Sequence, residues 1–289
     1  MITTYTQLLN ASIVLFLDHR LLSHGQAYTN ISGRVYPTED PNFANKNIWA
    51  SQSRQWVYDS SVIGANVPTG TNLINKGTSG LYIDYNKGRI ITNSNVSQNS
   101  NFSLAYSVKD FSIYPSNLDI GTILFENQYR ADNEFNNPTD VLLYNEETIP
   151  GIFIRNVSSK SEPHSFGGQD KTINTFNLTC VTNKEWKLDS LLSLLQDSQT
   201  CTFPLLNAAA IPFNAYGDFK SGVTFSYNSL LESTSYNKVV IDTVNCSKLS
   251  YDATRNVQTK NLQTKMAAAA IEIVTCCYRH PRILPGFEN

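Results

Sequence analysis

Apolar residues fall at helical spacing in two stretches of the chain and at strand spacing in most of the others. In YTQLLNASIVLFLDHRLLSH, residues 5–24, Leu9, Ile13, Leu17 and Leu21 step by four, and Leu8, Phe16 and Leu22 widen the stripe. Gly25 supplies a C-terminal stop. This helix is apolar over more than half its girth, so it needs cover on most sides, either from its own domain or from a neighbouring subunit. His19 and His24 lie near its end, where they suit the helix dipole, and are assigned no chemistry. The second stretch runs from Lys171 to Leu206. Ile173, Phe176, Leu178, Cys180 and Val181 make a strand, a turn follows, and Leu188, Leu191, Leu192 and Leu195 form one face of a helix over 184–199. Asn183 is the expected N-cap, Glu185 and Asp189 bring negative charge to the helix start, and Pro204 lies beyond its end.

Strand signals fill the rest. GLYIDYNKGRIIT, residues 80–92, predicts a hairpin whose loop is Asn86-Lys87-Gly88, with glycine at the left-handed position. Phe102 to Lys109 alternates, and Phe111–Tyr114, Gly151–Val157 and Lys238–Val244 supply further strands. The alanines of residues 265–278 also fit a helix, but Ile271, Ile273, Thr275 and Cys277 alternate, which favours a strand. Residues 36–55, YPTEDPNFANKNIWASQSRQ, predict a long loop, and SSKSEPHSFGGQD, 158–170, a second one. Asp84 and Asp110 are expected to cap turns or face solvent. The fold class is therefore mostly β with minor α (α+β). An N-terminal helix and a small β-sandwich-like domain occupy 1–130, and a sheet carrying one amphipathic helix occupies 131–289 with an extended C-terminal tail.

Composition changes the picture in one respect. Only 16% of residues are charged, while the chain holds 15 Tyr, 14 Phe and 3 Trp. A surface poor in Lys and Glu and rich in aromatics is what protein–protein contact selects. Aromatic and aliphatic residues in loop-like or turn-rich segments are accordingly candidate interface anchors: Phe43, Trp49, Trp56, Phe166, Tyr216, Phe219, Ile283 and Leu284. The formal net charge is −2 and basic residues do not cluster, which argues against sequence-specific DNA binding. Five cysteines in a long chain, without framework spacing, read as reduced, buried thiols. Cys276 and Cys277 would point to opposite faces of a strand, so they are not read as metal ligands. His164, Ser165 and Asp170 sit in one stretch and not on separate converging elements, so they are not read as a triad. Gly167-Gly168 lacks the lysine and helix of a phosphate loop, and Glu146-Glu147 is no spaced acid/base pair. No catalytic, cofactor-binding or metal-binding residue is assigned. The apolar run Ala11–Leu17 is too short for a membrane span and carries no secretory pattern.

The segments LDHRLLSHGQAYTNISGRVYP, SRQWVYDSSVIGANVPTG, GLYIDYNKGRI and EPHSFGGQDKTINTFNLTCV resemble a family of virion structural (neck/tail) proteins of contractile-tailed phages, especially those of marine cyanobacteria. Gly151–Thr200 is similar in outline to the phage tail-terminator fold. The resemblance implies a non-enzymatic subunit of a ring at the head-to-tail junction, as tail terminator or neck, or in the tail. It implies contacts with itself in a hexameric or dodecameric ring and with other virion proteins (neck, portal-adaptor, tail tube or sheath). DNA would pass through the lumen, no membrane would be involved, and no active-site residue is carried over. The alternative is a carbohydrate-binding β-sandwich of a host-attachment apparatus.

Overall fold

The computed structural model describes residues 4–43, 46–68, 82–93, 102–126, 148–165, 168–207, 209–212, 225–232, 238–250 and 266–280. The architecture is mostly β with minor α, in two sheets. The first has five strands in the order β3-β4-β2-β1-β5: β1 Tyr28–Thr38, β2 Lys46–Ala50, β3 Tyr82–Asp84, β4 Arg89–Asn93 and β5 Phe102–Lys109. The second has six in the order β6-β7-β8-β11-β10-β9: β6 Ser112–Pro115, β7 Gly151–Ser165, β8 Gln169–Thr182, β9 Thr202–Pro204, β10 Lys238–Lys248 and β11 Ala267–Arg279. β6 runs parallel to β7, whereas the other pairings among the described strands are antiparallel.

Helix α1, Tyr5–Ser23, joins the two sheets. Thr4 opens it with a capping box, its Oγ1 accepting the Gln7 N–H while Gln7 Oε1 accepts the Thr4 N–H. Leu9, Ile13 and Leu17 are wholly buried. Phe16 stacks on Phe203 of β9 at 5.1 Å, and Ser12 Oγ accepts the Leu206 N–H at 2.9 Å. On another side Asp18 reaches Lys109 of β5. One continuous core results, drawing on α1, both sheets and helix α2, Glu185–Gln196. A smaller cluster of Ile123, Leu124, Ile149, Phe153, Val181, Met266 and Ala268 covers part of the opposite face of the second sheet. A π-helical turn, Thr122–Glu126, and the short helix α3, Tyr227–Glu232, are the remaining helical pieces among the described residues, apart from one 3-10 turn.

Several local expectations change. Leu188, Leu191, Leu192 and Leu195 are buried as the helical face of α2, but its N-cap is Lys184, not Asn183, and makes no side-chain capping bond. Thr182 Oγ1 instead donates to the Lys184 carbonyl at 2.9 Å. The long loop expected over 36–55 is a strand pair. β1 continues to Thr38, the 3-10 turn spans Pro41–Phe43, and Tyr36, Pro37 and Thr38 pair with Ala50, Trp49 and Ile48. Pro41 and Asn42 mark the one turn, while Pro37 lies in β1 and the buried Ile48-Trp49-Ala50 run carries the second strand. The loop expected over 158–170 is also a strand pair, because β7 and β8 remain paired, across two register shifts, down to Ser165 and Gln169. A strand exposed on both faces shows no hydrophobic alternation, so side-chain pattern could not reveal it. β6, expected with the strands of the first half, belongs to the second sheet. The boundary expected near residue 130 lies outside the described residues.

The hairpin of β3 and β4 forms with Gly88 at φ 59° as predicted, but Asp84 pairs with Arg89, so its loop is four residues, Tyr85 to Gly88, and not three. Asp84 caps its turn by accepting the Lys87 N–H at 3.1 Å, and also holds Arg89 Nε at 2.9 Å. A Cβ on Gly88 would meet the Ser53 carbonyl oxygen well inside contact distance and lie 2.9 Å from Trp56 Nε1. Strain and clash add, so Gly88→Ala is predicted to destabilise the protein by at least about 2 kcal/mol. A thermal melt indistinguishable from wild type would contradict this geometry.

Candidate subunit interface

Beyond Ile154, β7 is an edge strand of the second sheet, backed in turn by β8, β11, β10 and β9. β6 covers only Gly151–Ile154 on one side of β7, while β8 pairs with β11 along nearly its whole length. From Arg155 to Ser165 every residue of β7 is exposed except Asn156 and Glu162, which are half-buried. Among the described residues no strand pairs with that side of β7 beyond Ile154. An uncovered strand edge presents backbone donors and acceptors ready to pair with another chain.

Large apolar side chains are exposed at several places. Ile63, in the segment after β2, is 96% exposed, and Val157 on β7 is half exposed. Trp186 on the first turn of α2 is 61% exposed. Lys184 and Lys187 lie 6.0 and 5.9 Å from its ring centroid. Tryptophan buries the most apolar area of the three and is the commonest kind of interface anchor among them. Along the same helix Lys248 pairs with Glu185 at 3.6 Å and with Asp189.

The residues that sequence suggested as anchors are placed differently. Trp49 and Trp56 are 0% exposed and belong to the subunit's own core, which corrects their reading as docking residues. Trp49 lies on β2 opposite Ile90. Trp56 Nε1 donates to Ser51 Oγ and to the Ser53 carbonyl, both at 3.1 Å, and its ring tilts on Tyr106 at 4.7 Å. A side chain with no surface left has nothing to offer a partner. Phe43 is half-buried, with the Arg89 guanidinium 5.3 Å from its ring centroid. Phe166, Tyr216, Phe219, Ile283 and Leu284 lie outside the described residues.

The ionisable groups converge inside, where local spacing offers little sign of them. Lys109 Nζ donates to Asp18 Oδ1 and Oδ2 at 2.8 and 2.9 Å, with both residues buried, and lies 3.9 Å from the Tyr58 ring centroid. His19 Nδ1 is 2.7 Å from Asp59 Oδ2, and the His19 ring stacks on Tyr227 at 4.5 Å. Asp59 Oδ1 also accepts the N–H groups of Ser61 and Tyr227, both at 3.0 Å, and the Ser61 hydroxyl at 2.6 Å. Burial lowers the Lys109 pKa against the pull of Asp18. Burial and the neighbouring Asp18 carboxylate push the Tyr58 hydroxyl well up. Burial alone would raise Asp59, but hydrogen bonds from His19, Ser61 and the Tyr227 backbone bring it below the ordinary carboxylate value. The helical spacing of α1 hid Asp18 and His19, which look like a polar helix end, and only packing brings Asp59 and Lys109 to them.

Clusters of this kind can mark active sites. Here each carboxylate is used on a neighbour, and among the described residues no hydrogen bond links the His19 ring to a hydroxyl or thiol. No group of three or more His, Cys, Asp or Glu side chains able to hold a metal occurs among the described residues. The His164 ring tilts on Tyr278 at 4.5 Å, and Asp170 lies opposite Pro163 and Arg279. The arrangement locks α1 to β5 and to the 51–62 segment. Because the Asp59 pKa is depressed by folding, its contribution is present above the unfolded value and disappears as pH falls through the folded one. Asp59→Asn is predicted to lower stability at pH 7 and to flatten the loss of stability below about pH 4. Urea melts across that range check it; parallel pH profiles for variant and wild type would refute it.

Compared with known proteins, the chain matches no family model and no curated protein. No helix among the described residues is long and apolar enough to cross a membrane, which says nothing of strands.

Proposed function

We propose that this chain is a non-enzymatic structural subunit of a tailed-phage virion. It assembles as a hexameric or dodecameric ring at the head-to-tail junction, as tail terminator or neck, or within the tail. Its neighbours are copies of itself and other virion proteins, neck, portal-adaptor or tail tube and sheath. The virion identity comes from the sequence resemblance. The observation that carries the assembly reading is a contrast: Asp18, His19, Asp59 and Lys109 are engaged with one another inside, while a strand edge that no described strand pairs with and the exposed Ile63 and Trp186 lie outside. Leaving such groups in water makes sense for a chain that meets neighbours. A formal charge of −2 suits a lumen that lets DNA pass without holding it.

The test is quantitative mass spectrometry of purified particles, in which the protein is expected in multiples of about six, as closed rings require. Its absence from particles, with all of it monomeric in the lysate supernatant, would refute the proposal. Trp186 between two lysines gives the carbohydrate-binding alternative one specific observation, since an exposed aromatic plane can stack a sugar ring. Retention on host polysaccharide that Trp186→Ala abolishes would favour that reading.

A further inference from the structure

The side of β7 that no described strand pairs with beyond Ile154 carries a pattern of backbone groups and charges. The Ile154 carbonyl accepts the Ser116 N–H at 2.9 Å, so up to Asn156 the even-numbered residues turn their backbone groups away from β8. The register then shifts, from Asn156 opposite Phe176 to Ser158 opposite Thr175. That bulge reverses the parity. Beyond it Ser158, Lys160 and Glu162 direct their backbone groups at Thr175, Ile173 and Lys171, and Ser159, Ser161 and Pro163 direct theirs outward. Pro163, which has no N–H, stands where β8 needs none. Lys160 and Glu162 share one side of the strand, exposed or nearly so, and pair with each other at 2.6 Å. The residues around them are small serines: Ser158, Ser159 and Ser161.

We propose that this edge pairs antiparallel with the same edge of a second copy of the chain, about a two-fold axis at Ser161. Backbone pairing requires the outward-facing residues of each copy to meet. In the register centred on Ser161, Lys160 of each copy lies opposite Glu162 of the other, at both ends of the contact. In the adjacent register centred on residue 160 Lys160 meets Lys160, and in the one centred on residue 162 Glu162 meets Glu162. Like charges directly opposite disfavour both, so the charges choose the register and the partner together. The two copies of Ser161 exchange N–H and carbonyl bonds, and each Ser159 N–H meets the other copy's Pro163 carbonyl. Pro163 at one end and the bulge at Asn156 at the other limit the ladder, and an isologous contact uses the same edge on both copies, so it closes as a pair and does not propagate as a fibre. The inference takes from the proposed function only that the chain assembles with itself. A two-fold contact is not the rotation that relates neighbours in a cyclic ring, so in a particle it would join subunits of two facing rings and not neighbours within one.

Sedimentation velocity of the full chain over a concentration series tests it. The wild type is expected to show a reversible pairing step. Lys160→Glu and Glu162→Lys, both at accessible sites, should each weaken that step by about tenfold, and the double exchange should restore it. Ser161→Cys gives a second readout. Paired residues that exchange hydrogen bonds have Cα atoms about 5.5 Å apart, within disulfide range, so mild oxidation should yield a covalent dimer whose linked peptide contains residue 161 from both copies. Association of the single charge variants equal to wild type, without a cross-link at position 161, would overturn β7 pairing while leaving self-assembly in place. A chain that stays monomeric in solution yet is found in particles would overturn the pairing and leave the virion reading standing.

Discussion

Trp49→Ala is expected to destabilise the isolated subunit by about 3–5 kcal/mol, the usual cost of removing a large aromatic side chain from a core. Trp49 is fully buried on β2, opposite Ile90, in the cluster that also holds Trp56, Tyr58 and Leu104. The cavity would open beside strands β1 and β4, both hydrogen-bonded to β2, which limits how far the site can collapse. Out of a total stability of about 5–15 kcal/mol, such a loss threatens the fold itself. The measurement is urea unfolding of the monomer under conditions where no assembly forms. A variant that melts like wild type but fails to assemble would return Trp49 to the role of a docking residue and contradict its burial.

The second large effect concerns Asp18 and Lys109. Asp18→Ala removes the carboxylate that both short bonds from the Lys109 ammonium reach, and leaves that charge buried beside the Tyr58 ring. Breaking a buried pair from one side costs about 3–5 kcal/mol, because the remaining charge is uncompensated. Burial already lowers the Lys109 pKa, and without Asp18 it falls further. The folded variant would then bind fewer protons than the unfolded chain, so its deficit should shrink as pH rises from neutrality towards the lysine range. Asp18→Leu combined with Lys109→Met should recover most of the lost stability, since an apolar pair of similar volume carries no desolvation cost. Denaturant melts of both variants between pH 7 and about pH 10 check the sign. A deficit for Asp18→Ala that does not change over that range would show that Lys109 does not depend on Asp18.

Elements with one buried face are legible in the chain. α1 announces itself through Leu9, Ile13, Leu17 and Leu21 stepping by four, α2 through leucines at i, i+3 and i+4, the β3–β4 hairpin through Gly88, and β11 through alternating Ile271, Ile273, Thr275 and Cys277. Each depends on local spacing or on one backbone angle. The β1–β2 pair reads as a loop because Asp40, Pro41 and Asn42 outweigh the short Ile48-Trp49-Ala50 run. The outer half of β7 reads as a loop because serine, lysine and glutamate exposed on both faces have no periodicity.

What the sequence determined by itself is therefore the inventory: mostly strands, one amphipathic helix and one helix apolar over most of its girth, few charges and many aromatics. Those features follow from side-chain spacing and composition. The tertiary structure alone decided that Trp49 and Trp56 face inward, that β6 joins the second sheet, and that Asp18, His19, Asp59 and Lys109 meet. Contacts between residues 40 to 91 positions apart depend on how sheets and helix dock, and docking leaves no trace in local periodicity.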